Sequence, residues 1–422
     1  MGTCIRFRRR FRTKASHPKT LFQAASVSKT LTAFAALRLV QQGKLKLDDD
    51  VNTKLLSWKV PDNAFTRTTK VTLRRLLSHT AGHSVGGFAG YKAGEPLPTE
   101  VQILNGEKPA NNEAVRVISE PGKQFRYSGG GYVIVQRLLT DVTGQSFPAL
   151  MNDLVFKPLA ISRSTFAQPL PKDLWSDAAQ PYDVNGQPVS GGWFIDPEMS
   201  AAGLWTTPSD LARIAIEIEK ASAGESRLLS AALAKEMLAY QSDEVYGLGV
   251  ALGERGHPPK FGHSGANGGY KCLFEDYPEI GQGVVFMTNG DSGLRLIGEI
   301  QRVVAQEYDW PDGRVEEHTL TKIAPAVLQA YTGVYLFQGL FKFVITRDNG
   351  KLYVQYPPFG DKPQELFPES DTSFFMTAQP VVITFQREGD GSIRKAKVRN
   401  GPEQLDGRRS QKILSKMLSD HS

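Results

Sequence analysis

Residues 22–44 read FQAASVSKTLTAFAALRLVQQGK. Leu31, Phe34, Ala35, Leu37 and Val40 recur at helical spacing and Gly43 follows as a stop, so the stretch predicts a helix over 27–42. A helix that only fills a core has no use for a serine and a lysine at its first turn. Ser26 and Lys29 stand three apart, on one face. A hydroxyl is a poor nucleophile until a neighbour takes its proton, and burial lowers a lysine's pKa until some of it is a neutral base. The helix N-terminus also favours negative charge near Ser26.

The S-x-x-K spacing alone is weak evidence. It recurs at Ser16/Lys19, in a basic leader with Pro18 between, and at Ser392/Lys395, after a GDG turn. Only Ser26 opens a long apolar helix. Two further short motifs matter. FRYSGGGY carries Tyr127-Ser128-Gly129, where a nearby lysine charge is expected to depress the phenol pKa from about 10. FGHSGANGGY carries His263-Ser264-Gly265 on an expected strand, with glycines that allow a backbone to approach a ligand. His79 and His83, in HTAGH, have metal-like spacing, but Gly82 breaks the helix and no HExxH glutamate is present, so the pair reads as a turn.

Taken together, a nucleophile on a helix, a phenol on a loop and a histidine on a strand resemble the serine β-lactamase and penicillin-binding protein superfamily. The hallmarks S-x-x-K, Y-x-N and K/H-x-G place the resemblance in the class C β-lactamase-like esterase and D-peptidase branch. LLSHTAG (76–82) and GLWTTPSDLA (203–212) are similar to its framework stretches. The resemblance spans roughly 21–310, and the remainder resembles an appended lipocalin-like domain.

The resemblance implies that Ser26 attacks a carbonyl to form an acyl-enzyme while Lys29 and Tyr127 shuttle its proton. It implies an oxyanion hole from the backbone N–H groups of Ser26 and Ala266. His263, Ser264, Gly265, Ser128 and Gly129 would line the substrate, with His263 as a polar or carboxylate-facing group. No metal or organic cofactor is implied. Gly129 stands where the family has Asn, and His263 where class C β-lactamases commonly have Lys. Both departures favour esters over β-lactams, with β-lactamase or D-amino-acid peptidase activity as the alternative. The family also places a helix and strands ahead of S-x-x-K. Here a basic leader occupies that place, so N-terminal strands are expected to be missing, which raises the further alternative of an inactive homologue.

The whole chain fits this reading. It has 422 residues, 40% hydrophobic and 22% charged, enough for one large domain and a smaller one. Seven basic residues and no acid lie in the first twenty; without them the net charge of +6 becomes −1. A charge so localised argues against nucleic-acid binding. No run of about 18 apolar residues is present, and the leader lacks the apolar core of a secretory signal, so the chain as written reads as cytoplasmic. Two cysteines, Cys4 and Cys272, suggest neither a disulfide framework nor a metal site.

The expected fold class is α+β: an antiparallel sheet flanked by helices, an α/β sandwich, plus a small all-β barrel-like domain. The expected organisation is a leader at 1–20, a hydrolase domain at 21–310, a linker at 311–324, a β domain at 325–400 and a polar tail at 401–422. A short helix is expected at 410–418. The strand-like segments include VYGLGVAL (245–252), LQAYTGVYLF and LFKFVITRDNGKLYVQY, the last with a DNG hairpin signal.

Overall fold

The computed structural model describes residues 16–313, 317–337, 341–356, 363–377, 381–400 and 403–410. Residues 1–15 of the leader and 411–418 of the short expected helix lie outside the described residues. The chain divides into two compact units between Ile297 and Gly298.

The first unit holds, in order, β1 (Phe22–Gln23), α1 (Ser28–Gln41), α2 (Leu73–Leu77), α3 (Glu100–Asn105), α4 (Gly129–Thr143), α5 (Phe147–Met151), α6 (Met199–Ala202), β2 (Trp205–Thr206), α7 (Pro208–Ala223), α8 (Ala231–Met237), β3 (Ala251–Leu252), β4 (Phe261–Asn267), β5 (Tyr270–Tyr277) and β6 (Gln282–Thr288). Helix α9 (Gly293–Glu307) runs across the division. This is an α+β fold with an antiparallel sheet ordered β3-β4-β5-β6. Helix α7 packs on β5 and β6, and the turn carrying Ser26 packs on β4 and β5. Among the described residues the sheet ends at β6. The one described strand ahead of α1 is β1, which pairs with β2 and not with the sheet.

Helix α1 is buried almost all round, from Ser28 through Leu37, the pattern of a core helix and not an amphipathic one. Its end follows from Gly43, whose φ of +70° suits a residue without Cβ. Helix α7 opens as its sequence requires: Thr207 accepts the Asp210 N–H, Pro208 takes the first position, and Gly224 closes it at φ +83°.

The expected strand at 245–252 shrinks to Ala251–Leu252. Its glycines explain why. A Cβ on Gly249 would meet the Ala33 Cβ at 2.4 Å, and Thr30 Oγ1 donates to the Gly249 carbonyl at 2.7 Å. The segment folds onto α1 and gives up sheet pairing.

The second unit has a short helix α10 (Pro325–Leu328) and then β7 (Gly333–Phe337), β8 (Phe341–Asp348), β9 (Lys351–Gln355), β10 (Gln364–Pro368), β11 (Ser373–Phe375), β12 (Val381–Arg387), β13 (Ile393–Asn400) and β14 (Glu403–Arg409). These eight strands close into a barrel, with β14 bridging β13 and β7. The DNG signal is a tight hairpin with positive φ at Asn349 (46°) and Gly350 (76°). Two expectations are corrected. LQAY is helical, not strand, because Pro325 starts a helix. Residues 403–409 are the closing barrel strand and not tail: they pair with 395–400 on one side and 335–337 on the other.

Candidate active site

Ser26 lies on a 3-10 turn (Ala25–Val27) that feeds into α1. The turn starts from a buried Ala25 at φ +48°, a conformation that costs a non-glycine residue on the order of 1–3 kcal/mol unless its surroundings impose it. The surroundings do. The Ala24 N–H donates to the Leu204 carbonyl at 2.8 Å, Cys272 Sγ donates to the Ala24 carbonyl at 2.9 Å, and Ser28 Oγ donates to the Ala25 carbonyl at 2.6 Å. Gly265 on β4 completes the seat: a Cβ there would stand 2.2 Å from the Ala24 oxygen and 2.6 Å from Cys272 Sγ. Gly265 therefore belongs to the site as a packing residue that lets β4 lie against the Ser26 turn.

Lys29 Nζ donates to Ser26 Oγ at 3.1 Å and to the Ala201 carbonyl at 2.8 Å. The side chain is 2% exposed, and its ammonium lies 4.9 Å from the Tyr127 ring centre and 5.6 Å from that of Tyr132. With no carboxylate cause acting on it, burial alone brings its pKa from 10.5 to about 7. Burial thus shifts the lysine toward its neutral amine form.

Tyr127 hydrogen-bonds Ser26, yet burial pushes its pKa up to about 12. This reverses the expected depression. The lysine that was to lower it has lost much of its own charge by the same burial and sits against the ring. The phenol stays protonated and is a donor at neutral pH.

His263 departs from its expected role as well. Its Nδ1 lies 2.6 Å from the Ser264 carbonyl, which can only accept, so Nδ1 carries the proton and Nε2 accepts from Tyr246 Oη at 3.0 Å. Burial first, then the Lys29 charge, lowers its pKa to about 4. A neutral imidazole with both nitrogens occupied is no partner for a substrate carboxylate.

Ser264 is exposed, on the opposite side of β4 from His263 and Gly265. Ser128 is withdrawn from any substrate: it caps α4, accepting the Gly131 N–H at 2.9 Å and donating to the Ser84 carbonyl at 2.8 Å. Gly129 is the first residue of α4, and a Cβ there would meet the Phe88 ring at 2.9 Å. Phe88 thus fills the space into which the family's Asn amide would project. Ala266 lies on the part of β4 beyond the β3 pairing, which covers Phe261 and Gly262 alone.

Reading the sequence assigned no site role to His79. It is buried at φ +58°, packs 4.2 Å from the Tyr127 ring, and its Nδ1 accepts the Ser128 N–H at 3.0 Å. Burial, Lys29 and His263 keep it neutral. With Phe125, Tyr132 and Tyr246 it builds the aromatic wall behind Tyr127. The signal was present: HTAG precedes a glycine turn that a positive-φ histidine can start. His83 is buried with both ring nitrogens unpartnered. A surface cavity of about 400 Å³ lies at the C-terminal end of α4, lined by Glu100, Arg137 and Asp141 among others. None of Ser26, Lys29 or Tyr127 lines it; they gather near the N-terminal end of that helix.

Residues 5–306 match the family described as Beta-lactamase. The chain belongs to the β-lactamase family. Residues 317–411 match a domain of unknown function, DUF3471. Penicillin-binding protein 4* of Bacillus subtilis (strain 168) is 24% identical over 87% of this chain and 82% of its own length. Among solved structures, the octameric penicillin-binding protein homologue from Pyrococcus abyssi superposes with a TM-score of 0.60 at 23% identity, covering 93% of this chain and 89% of the other. EstCE1, a hydrolase with promiscuous acyltransferase activity, gives 0.53 at 22% identity over 66% of this chain and 82% of its own. The helix-and-sheet architecture of the chain is shared with these structures.

Proposed function

We propose that this chain is a carboxylesterase that works through an acyl-enzyme on Ser26. One observation carries the reading: the Ser26 hydroxyl lies 3.1 Å from the amine of a lysine that is 2% exposed and free of any carboxylate partner among the described ion pairs, with the Tyr127 phenol hydrogen-bonded to the same serine. Ser26 Oγ attacks the ester carbonyl carbon and its proton passes to neutral Lys29. The tetrahedral oxyanion is held by the N–H groups of Ser26 and Ala266, each such donor contributing about 2.7–4 kcal/mol. As the C–O bond breaks, the leaving alkoxide takes a proton from Tyr127, which recovers it from Lys29. Water then attacks the acyl-enzyme while the same pair accepts its proton and returns it to Ser26 Oγ as the Oγ–acyl bond breaks, and the acid departs.

Ester preference rests on what the second and third motifs offer. His263 is neutral, so β4 presents no cation there to a β-lactam carboxylate. Phe88 occupies the place of the amide that would read a peptide side chain. Likeness to penicillin-binding protein 4* supports a second reading, hydrolysis of D-amino-acid peptides or β-lactams by the same serine.

The test is intact-mass analysis after mixing with an activated phosphonate ester. One adduct on the wild type and none on Ser26→Ala is expected. Turnover of p-nitrophenyl esters, a chromogenic β-lactam and a D-Ala-D-Ala peptide then ranks the substrates. A folded wild type that takes no adduct overturns the proposal.

A further inference from the structure

The catalytic groups come from three separate pieces of chain: the Ser26 turn, the β4 edge with Ala266, and the Ala201 carbonyl at the end of α6 that holds Lys29. One half-buried amide reaches all three neighbourhoods. Asn267, the residue after Ala266, has its Nδ2 2.9 Å from Gln23 Oε1, 2.9 Å from Asp196 Oδ2 and 3.3 Å from the Ala202 carbonyl. Gln23 stands three residues before Ser26, is 1% exposed, and its own Nε2 donates to the Phe194 carbonyl at 2.6 Å. Ala202 follows Ala201. Asp196, 3% exposed, leads into α6, and its N–H donates to Gln168 Oε1 at 3.3 Å.

We propose that Asn267, with Gln23 and Asp196 as its acceptors, is a positioning residue that fixes the Ala266 N–H, Ser26 and the Lys29 carbonyl partner in one register. The inference rests on the reading of Ser26 as an acylated nucleophile.

The chemistry of the cluster supports a positional role over a packing one. The buried Gln23 amide and the buried Asp196 carboxyl cost more to enclose than aliphatic side chains of equal volume. Asp196 has no cation to offset that cost: none of the described ion pairs includes it, and its charged-group neighbour is Glu198, whose carboxylate oxygens are both buried and unpartnered. What the polar set supplies is direction. Two N–H bonds of one planar amide point at fixed angles, one toward the strand before the nucleophile and one toward the approach to α6. The Asn267 backbone carbonyl is held too, accepting from Lys271 Nζ at 3.0 Å, which is itself paired with Asp291.

The experiment titrates live Ser26 with the phosphonate and measures ester turnover per titrated site in wild type, Asn267→Ala, Gln23→Ala, the double variant, Asp196→Asn and Asp196→Leu. Asn267→Ala is expected to lower kcat per live site by about ten- to a hundred-fold, the scale set by sub-ångström to 1 Å misplacement, with KM moving far less. The double variant should fall no further than Asn267→Ala, since both cut the same link. Asp196→Leu, without an acceptor oxygen, should fall further than Asp196→Asn, which keeps one. A role in folding alone would lower the titre and leave turnover per site unchanged. That result overturns the inference, as does additivity in the double variant. If Asn267→Ala does not fold, the Asp196 pair decides by the same readout. A wild type that titrates no site removes the esterase reading and this inference together.

Discussion

The chain carries two cores built on opposite terms. The barrel interior is aromatic and aliphatic: Phe337, Phe343, Ile345, Leu352, Val354, Phe374, Ile383 and Phe385 pack against one another. Its polar atoms are satisfied close at hand, as where Tyr335 Oη donates to the Tyr331 carbonyl at 2.9 Å and Tyr331 Oη to the Asp371 carbonyl. The first unit has a larger apolar core, yet every buried polar or charged side chain among the described residues lies in it, none beyond Asp276. Lys29, His79, His263, Asp196 and Glu198 are all enclosed there, and in each burial is the main force moving the pKa. Among the described residues the barrel encloses almost no ionisable side chain, while the first unit gives up stability to enclose groups whose charged forms burial disfavours.

The sharpest way to break that contrast is Lys29→Met. It should reduce phosphonate labelling of Ser26 by about a thousand-fold or more, because the base is gone. It should also stabilise the fold at pH 7. The sign follows from the pKa values: about 7 folded against 10.5 unfolded, so the unfolded chain binds more protons between those limits and wild-type stability rises with pH across them. The penalty is fully present below pH 7 and amounts to a few kcal/mol, which exceeds the roughly 1 kcal/mol net worth of a lost hydrogen bond. Melting temperatures of the two proteins should therefore differ most at and below pH 7 and converge toward pH 10.5. A gap that is constant with pH would show that Lys29 is not the titrating group.

A second measurement reads the same group through rate. The kcat/KM of the wild type should rise through a midpoint near pH 7 as Lys29 deprotonates. It should not fall again until strongly alkaline pH, because Tyr127 holds its proton to about 12. A descending limb near pH 8–9 would require another group.

Gly265→Ala should cost about 1–3 kcal/mol and reduce the titre of live sites, since the new methyl would meet the Ala24 carbonyl oxygen, a backbone atom. Chemical denaturation and phosphonate titration check it together. At the small end, Tyr335→Phe removes one barrel hydrogen bond and should cost about 1 kcal/mol with no effect on turnover.

The closeness of Ser26 and Lys29 was legible in the sequence because helical spacing alone puts residues 26 and 29 on one face, and the structure places Lys29 Nζ 3.1 Å from Ser26 Oγ. The opening of α7 was equally plain, since Thr207, Pro208 and Asp210 each act locally. What could not be read depends on long-range enclosure. Nothing near Tyr127 in the chain says that its phenol is buried against Lys29 and His79, so its pKa was expected to move the wrong way. Ser128 looked like a ligand group until α4 was seen to begin at the next residue. The strand at 403–409 escaped notice because its sequence, EQLDGRR, has no apolar alternation. Pairing on both sides, supplied by distant segments, makes it a strand.

That last strand sets a schedule for synthesis. Strand β14 lies between β13 and β7, so the first barrel strand waits for the last. At elongation rates of about 5–20 residues per second, several seconds separate emergence of Gly333 from that of Arg409. Through that interval one edge of β7, joined at the end by one edge of β13, presents a row of unpaired backbone groups. The ribosome thus releases a nascent chain whose first unit can already be collapsing while the second is still an open sheet. Recombinant yield should respond more to chaperone supply and translation speed than to any substitution around Ser26.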